Sequence, residues 1–390
     1  MADILPVRMP KWGLAMQEGT IVHWWKEPGA AVKEGEDLVD IETPKITNVF
    51  ESPQSGVVRR IVAQAGETLP VGALIGVMAD ATVEDAAIDA FVAEFQATFV
   101  PGDDSSEAEG ALTLSTIDVG GRTIRIGRGG RTEGVPVLLI HGYSGDLNNW
   151  LFNIEALGAE HPVIAIDLPG HGGSSKDVGD GSLKSLADVA ADALKELAVP
   201  RVHVIGHSLG GAVAARLAAD HPELVETISL ICPSSLPGTN PSEEFLTGMA
   251  EGQRARDLKP LLEMLFADPA LVTKDMLEEM VKYKRLDGVE EALKHLRDRL
   301  LDNEDRGALA KDLGKIASAT IIASHSDKIV GEPDENALPA GFRMRWIEGA
   351  GHMPHLEKAA DVNTTLLETI SLGRKVYEMA SQQPGGTNAA

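Results

Sequence analysis

A single cysteine, Cys232, in 390 residues leaves no pair from which an intrachain disulfide could form, so apolar burial and hydrogen bonding must hold the fold. Its place at the end of an apolar run reads as a buried filler. Basic residues are in the minority, 35 Lys and Arg against 59 Asp and Glu, for a net charge of -24. That balance opposes binding to nucleic-acid phosphates or to an anionic bilayer. No apolar run approaches the roughly 18 residues of a membrane span. Met1-Ala2-Asp3-Ile4 lacks the basic start and apolar core of a signal peptide, which points to a cytoplasmic protein. The length suits two or three domains rather than one.

What is present begins with a repeat. Gly19, Gly29 and Gly35 recur as Gly56, Gly66 and Gly72, each 37 residues on, and apolar positions follow them: Ile21 with Val58, Val32 with Leu69, Leu38 with Ile75. Two copies of a strand-turn-strand unit predict two sheets related by an approximate two-fold axis. Between the copies, Asp40 to Phe50 alternates in polarity on either side of Pro44-Lys45, which predicts a hairpin with Lys45 at its exposed tip. Residues 1–80 thus form a small all-β domain. Over 81–111, Ala87, Phe91 and Phe95 mark an amphipathic helix, and Pro101 to Gly110 reads as a polar flexible linker that lets the first domain move.

From Leu112 apolar runs alternate with helical patterns: Thr123 to Ile126, Val135 to Ile140, Val163 to Ile166, Val202 to Ile205, Thr227 to Ile231, Thr320 to Ala323 and Met344 to Ile347. Such spacing predicts a mostly parallel sheet covered on both faces, with chemistry on loops at the strands' carboxyl ends. The run Val202 to Ile205 enters Gly206-His207-Ser208-Leu209-Gly210 and then an alanine-rich helix from Ala212 to Asp220. This is a nucleophile elbow, where only small residues flanking the serine let strand and helix approach.

A serine hydroxyl needs an imidazole oriented by a carboxylate. Asp327 follows one later strand and His352 the last, giving the chain order Ser208, Asp327, His352. The N–H groups of Tyr143, in His141-Gly142-Tyr143-Ser144-Gly145, and of Leu209 are assigned to the oxyanion hole. His141 and His171 read as loop-stiffening residues. No metal site is called for. Amphipathic helices between about 237 and 311, as in Phe245 to Gly252, Leu261 to Phe266, Met276 to Tyr283 and Val289 to Leu301, form a cap over the site. Residues 381–390 read as a disordered tail.

Three resemblances attach to these residues. Residues 3 to 79 resemble a lipoyl domain, a flattened β-barrel, through the duplicated glycines, Glu42-Thr43 and Lys45. The likeness implies lipoate carried covalently on Lys45. Biotinyl relatives usually flank their lysine with methionines, whereas Pro44 and Ile46 stand here. Pro44 also departs from the commonest lipoyl pattern, which has an acidic residue before the lysine.

Residues 112–380 resemble the α/β-hydrolase superfamily, on His141-Gly142, the elbow, Asp327 and Gly351-His352. The combination resembles the acyltransferase subunit of acetoin-cleaving dehydrogenase systems. That implies transfer of an acetyl group from dihydrolipoamide to coenzyme A, with thiamine-diphosphate-dependent dehydrogenase and dihydrolipoamide dehydrogenase subunits as partners and room for a homo-oligomer. The H-x-x-x-D-G signature and the basic subunit-binding domain usual in multi-domain dihydrolipoamide acyltransferases are missing. Two other readings stay open: a serine hydrolase with an attached lipoyl carrier, and a carrier and assembly subunit with little chemistry of its own.

Overall fold

Glycines that recur along the chain turn it in the same way twice. Gly29 and Gly66 have φ of 94° and 89°, and Gly35 and Gly72 have φ of 78° and 81°, a region open to glycine at no steric cost. The hydrogen bonds repeat too: Gly29 N–H donates to the Val58 carbonyl and Gly66 N–H to that of Ile21, both at 2.7 Å. The computed structural model describes residues 4–10, 18–43, 47–52, 54–99 and 112–381. It divides into two units, Met1–Ala111 with Ala270–Glu279, and Leu112–Pro269 with Met280–Ala390.

In the first unit the strands are β1 (Ile4–Arg8), β2 (Glu18–Trp24), β3 (Ala31–Val32), β4 (Asp37–Glu42), β5 (Thr47–Glu51), β6 (Gly56–Ile61), β7 (Thr68–Pro70) and β8 (Leu74–Ala79). They form two four-stranded sheets, ordered β1-β8-β6-β3 and β5-β4-β2-β7. The two orders interchange under the repeat. Even the irregularities match, with a register shift between Ile21 and His23 in β2 and between Val58 and Arg60 in β6. Ile21, Val58, Leu38 and Ile75 are buried together as the core, as the pattern requires. β4 and β5 pair antiparallel with Glu42 opposite Thr47. Lys45 falls between those two residues and lies outside the described ones.

The helix expected in the connector belongs to this first unit. Helix α1 (Asp85–Thr98) buries Ile88 against Leu74 and Val77 of β8, with Phe91, Val92 and Phe95 packed around them. Arg59 pairs with Asp85 at 2.8 Å, and Arg60 pairs with Asp89. Apolar residues four apart gave the helix, but their partner, a strand of the repeat, could not be read locally. The linker expected over Pro101 to Gly110 lies outside the described residues, and so does the tail expected over 381–390 apart from Ser381, which is the last residue of a helix rather than part of a disordered tail.

The second unit carries one eight-stranded sheet of β9 (Thr113–Val119), β10 (Arg122–Gly130), β11 (Val137–Ile140), β12 (Pro162–Ile166), β13 (Val202–His207), β14 (Val225–Ile231), β15 (Ala319–Ala323) and β16 (Phe342–Trp346). The order is β16-β15-β14-β13-β11-β12-β10-β9, parallel from β16 to β12, with antiparallel β10 and β9 at one edge. Each predicted apolar run is a strand of this sheet. β9 was not predicted, because Thr-Leu-Ser-Thr-Ile-Asp-Val carries no apolar run and buries only Val119 fully. An edge strand with one neighbour does not need one.

Helices α2 (Ile154–Gly158), α3 (Leu183–Glu196) and α4 (Leu209–Asp220) follow the central strands. α4 packs on β11, β13, β14 and α3. Five helices then form the insertion: α5 (Glu243–Glu251), α6 (Ala255–Met264), α7 (Lys274–Lys284), α8 (Val289–Leu301) and α9 (Asn303–Asp312). The chain ends in α10 (Pro354–Glu357) and α11 (Ala359–Ser381), the latter against β14 and α2.

The insertion is fastened by buried polar groups. Tyr143 Oη hydrogen-bonds to the Leu293 carbonyl of α8 at 2.8 Å, and Tyr283 Oη to the Gly170 carbonyl at 3.1 Å. Lys284 Nζ donates to the Met249 and Ala250 carbonyls, both at 2.7 Å, near the C-terminus of α5, where orphan carbonyls need donors. Burial pushes this ammonium's pKa down to about 8.

Candidate active site

The turn at the end of β13 is strained by design. Ser208 has φ 54° and ψ -115°, a conformation that non-glycine residues seldom adopt. A side chain at Gly206 would collide with the Gly210 carbonyl, and one at Gly210 with the Ile140 carbonyl. Both glycines are therefore fixed by close backbone approach. The strained residue is held from both sides: Ser208 N–H donates to the Ile231 carbonyl at 2.9 Å, and its own carbonyl accepts from Ser234 N–H at 3.0 Å.

Asp327 and His352 arrive from the ends of β15 and β16, two neighbours in the sheet. His352 Nδ1 lies 2.8 Å from Asp327 Oδ2, with side-chain exposures of 2 % and 1 %. The other carboxylate oxygen, Oδ1, accepts from the N–H groups of Ile329 at 2.8 Å and Val330 at 3.1 Å. Burial pushes the Asp327 pKa up, but the His352 ring and these hydrogen bonds outweigh it and hold the group below the ordinary carboxylate range. An ionised Asp327 keeps a proton on His352 Nδ1 and leaves Nε2 as the basic nitrogen. Among the described residues Ser208 Oγ has no hydrogen-bond partner, so the structure joins two of the three predicted residues directly. The third stands one residue from His207, whose ring hydrogen-bonds to the His352 carbonyl. Nucleophile–base bonds are often long before substrate is bound.

Of the two residues assigned to the oxyanion hole, Leu209 follows Ser208 in the chain, and Tyr143 follows Gly142, where an added Cβ would come 3.0 Å from the Ser208 Cβ. Leu209 opens α4, and Tyr143 lies in a tight turn in which Gly145 N–H donates to the Gly142 carbonyl at 3.1 Å and Ser144 has φ 57°. Among the described residues neither the Tyr143 nor the Leu209 N–H has an acceptor. Backbone donors without an acceptor, one of them at a helix N-terminus, are the kind of group that suits a developing oxyanion.

The buried histidines of the neighbouring loops are structural. His141 Nδ1 donates to the Gly142 carbonyl at 2.8 Å and its Nε2 accepts from Leu168 N–H at 3.0 Å, so both nitrogens are committed. His171 Nδ1 lies 3.1 Å from the Pro169 carbonyl. Burial pushes both imidazoles toward the neutral form.

Three residues beside the site had no signal in the sequence. Glu357, on α10, accepts from Gly351 N–H at 2.6 Å and from Ala267 N–H at 2.8 Å, tying the loop before His352 to the insertion. His352 N–H itself donates to the Leu265 carbonyl just after α6. The His207 and His355 rings lie tilted at 48° to each other beside the Asp327–His352 pair, with centroids 4.5 Å apart. Cys232 is buried as read, but against the acid: its sulfur and the ligand atoms of Asp327 and His352 lie within 4.8 Å of one another. Burial first, and then the Asp327 charge, raise the thiol pKa well above its ordinary value, so it stays protonated and neutral.

Residues 137–365 match the alpha/beta hydrolase family, and residues 5–78 match the biotin and lipoyl attachment family, described as "Biotin-requiring enzyme". The chain is 41 % identical over 368 residues to the dihydrolipoyllysine-residue acetyltransferase component of the acetoin cleaving system of Cupriavidus necator, covering 93 % of this chain and 96 % of that one. The corresponding component from Pseudomonas putida is also 41 % identical, over 94 % of this chain and 98 % of that one. Among solved structures, a membrane phospholipase A superposes with a TM-score of 0.58 at 26 % identity, over 73 % of this chain and 96 % of that one. Among the described residues no helix is long and apolar enough to cross a membrane.

Proposed function

The chain belongs to the alpha/beta hydrolase family and, within it, to the dihydrolipoyllysine-residue acetyltransferase components of acetoin cleaving systems, and we propose that it moves an acetyl group from dihydrolipoamide to coenzyme A through Ser208. The observation that carries this reading is the 2.8 Å bond between Nδ1 of the buried His352 side chain and Oδ2 of the buried Asp327 side chain, which leaves Nε2 as a base.

Ser208 Oγ attacks the thioester carbonyl while His352 Nε2 takes its proton. The N–H groups of Tyr143 and Leu209 hold the oxyanion of the tetrahedral intermediate. As the intermediate collapses, the carbon–sulfur bond breaks and His352 returns the proton to the departing thiol, leaving acetyl-Ser208. His352 then takes the proton of the coenzyme A thiol, whose sulfur attacks the ester. Ser208 leaves as a hydroxyl with that proton, and acetyl-coenzyme A departs. Every proton passes through one imidazole, and Asp327 stabilises its charged form.

The lipoyl unit fits its part. Its two sheets exchange under the repeat, and the β4–β5 register puts Glu42 opposite Thr47 with Lys45 between them in the chain. Lipoate on Lys45 would supply the thiol that carries the acetyl group. Tethering the carrier to the serine's own chain raises effective concentration without any new contact. We place the enzyme in the cytoplasm, with thiamine-diphosphate-dependent dehydrogenase and dihydrolipoamide dehydrogenase subunits as its partners.

The test is to supply acetyl-dihydrolipoamide with and without coenzyme A, trap acetyl-Ser208 by rapid acid quench, and quantify acetyl-coenzyme A against acetate. Transfer should dominate. Mostly acetate, at a rate indifferent to coenzyme A, would favour a serine hydrolase with an attached carrier.

A further inference from the structure

His207, the residue between Gly206 and Ser208, takes no part in the proton transfers above, yet its ring meets both the loop of His352 and the loop of Gly142. Its Nε2 lies 2.8 Å from the carbonyl of His352. A carbonyl only accepts, so Nε2 carries the hydrogen and the neutral ring leaves Nδ1 bare. A Cβ on Gly142 would come 2.8 Å from Nδ1 and 3.0 Å from the Ser208 Cβ, so this edge of the ring abuts the residue before Tyr143. The His352 and His355 rings lie 4.7 and 4.5 Å away, and His355 in turn lies 4.9 Å from Trp150.

This cluster of tilted rings is not arranged for stability alone. His207 Nδ1, both His355 ring nitrogens and Trp150 Nε1 are buried without a hydrogen-bond partner among the described residues. Each costs desolvation that an apolar side chain would avoid. Burial, and then the neighbouring His355 and His352 rings, push the His207 pKa well below its ordinary value, and His355 is pushed down to about 3. Both rings are held neutral, and the His207 Nε2 hydrogen is already committed to the His352 carbonyl. What His207 does achieve is a bond from the residue preceding the nucleophile to the backbone of the base.

We propose that His207 is a positioning residue for acyl transfer: its Nε2–H on the His352 carbonyl, together with its packing on Gly142, sets the spacing of Ser208, the Tyr143 N–H and the His352 ring. The inference rests on the acyl-serine reading of the site. A displacement of about 1 Å between reacting groups can cost about 100-fold in rate, which makes one bond between two loops matter.

The test compares two variants of the full-length lipoylated enzyme. His207→Phe keeps an aromatic ring but has no donor for the His352 carbonyl, whereas a Gln side chain can place an amide N–H near the position of Nε2. We expect His207→Phe to lower kcat and the rate of Ser208 acylation by about 100-fold with KM little changed, and His207→Gln to recover most of that loss. Rates are referred to folded sites counted by a phosphonate serine label. The proposal is overturned if His207→Phe acylates at the wild-type rate per labelled site, or if His207→Gln is as slow as Phe. Should His207→Phe fail to fold, His207→Asn, whose amide falls short of the carbonyl, takes its place against Gln with the same criteria. Wild-type protein that never acylates Ser208 would sink the acyl-serine reading itself, a result distinct from a fast His207 variant in an enzyme that does.

Discussion

Asp327 Oδ2 and His352 Nδ1 meet at 2.8 Å although 24 residues separate them in the chain and each hangs from a different strand. Asp327→Asn replaces an acceptor by an amide that can force the wrong tautomer on His352. We expect kcat to fall by about three to four orders of magnitude with little change in KM, measured by steady-state acetyl-coenzyme A formation. A loss of tenfold or less would make the carboxylate a turn former only.

Ser208→Ala removes the nucleophile's oxygen and leaves the backbone free to keep its conformation. Acid-quenched protein should show no acetyl adduct on the peptide containing residue 208, while thermal unfolding stays close to wild type. A persistent adduct elsewhere in the hydrolase unit would transfer the role to another group.

Lys45→Arg separates carrier from catalyst. Transfer from free acetyl-dihydrolipoamide should survive, whereas turnover with the proposed dehydrogenase partner should vanish and lipoate should be absent from the intact mass. Partner-dependent turnover in the variant would mean the arm sits on another residue.

Ile88→Ala empties the contact of α1 with Leu74 and Val77. Deleting a fully buried isoleucine costs about 2–5 kcal/mol, read as a lower urea midpoint for the first unit. No change would show that the helix contributes nothing to that unit's stability.

Lys284 supplies a pH test. Its folded pKa, about 8, lies below the roughly 10.4 of a free lysine, so between those values the unfolded chain binds the extra proton. Stability should therefore rise as pH is raised from about 8 toward about 10, and this slope should be smaller in Lys284→Met. Urea unfolding of both proteins across that window measures it. Equal slopes would show that the ammonium is paired well enough to keep its ordinary pKa.

The sequence by itself determined the two-fold repeat, because glycines at positive φ and core positions recur at a fixed spacing that no other arrangement of short strands explains. It also determined the elbow at Ser208, since Gly206 and Gly210 are dictated by backbone approach within one strand-turn-helix unit. The chain order of Ser208, Asp327 and His352 narrowed the base and acid to strand ends.

What it could not contain was anything that depends on which surfaces meet. The polar strand β9 is legible only once β10 is there to pair with it, and the partner of α1 is a strand earlier in the chain. His207, His355 and Glu357 look like ordinary loop residues in sequence. They join the site only because a parallel sheet brings the ends of β13, β15 and β16 together and lays α10 beside them. Local patterns encode strands, turns and their strain, whereas hydrogen bonds such as that from His207 to the His352 carbonyl, 145 residues apart, exist only when the whole sheet is formed.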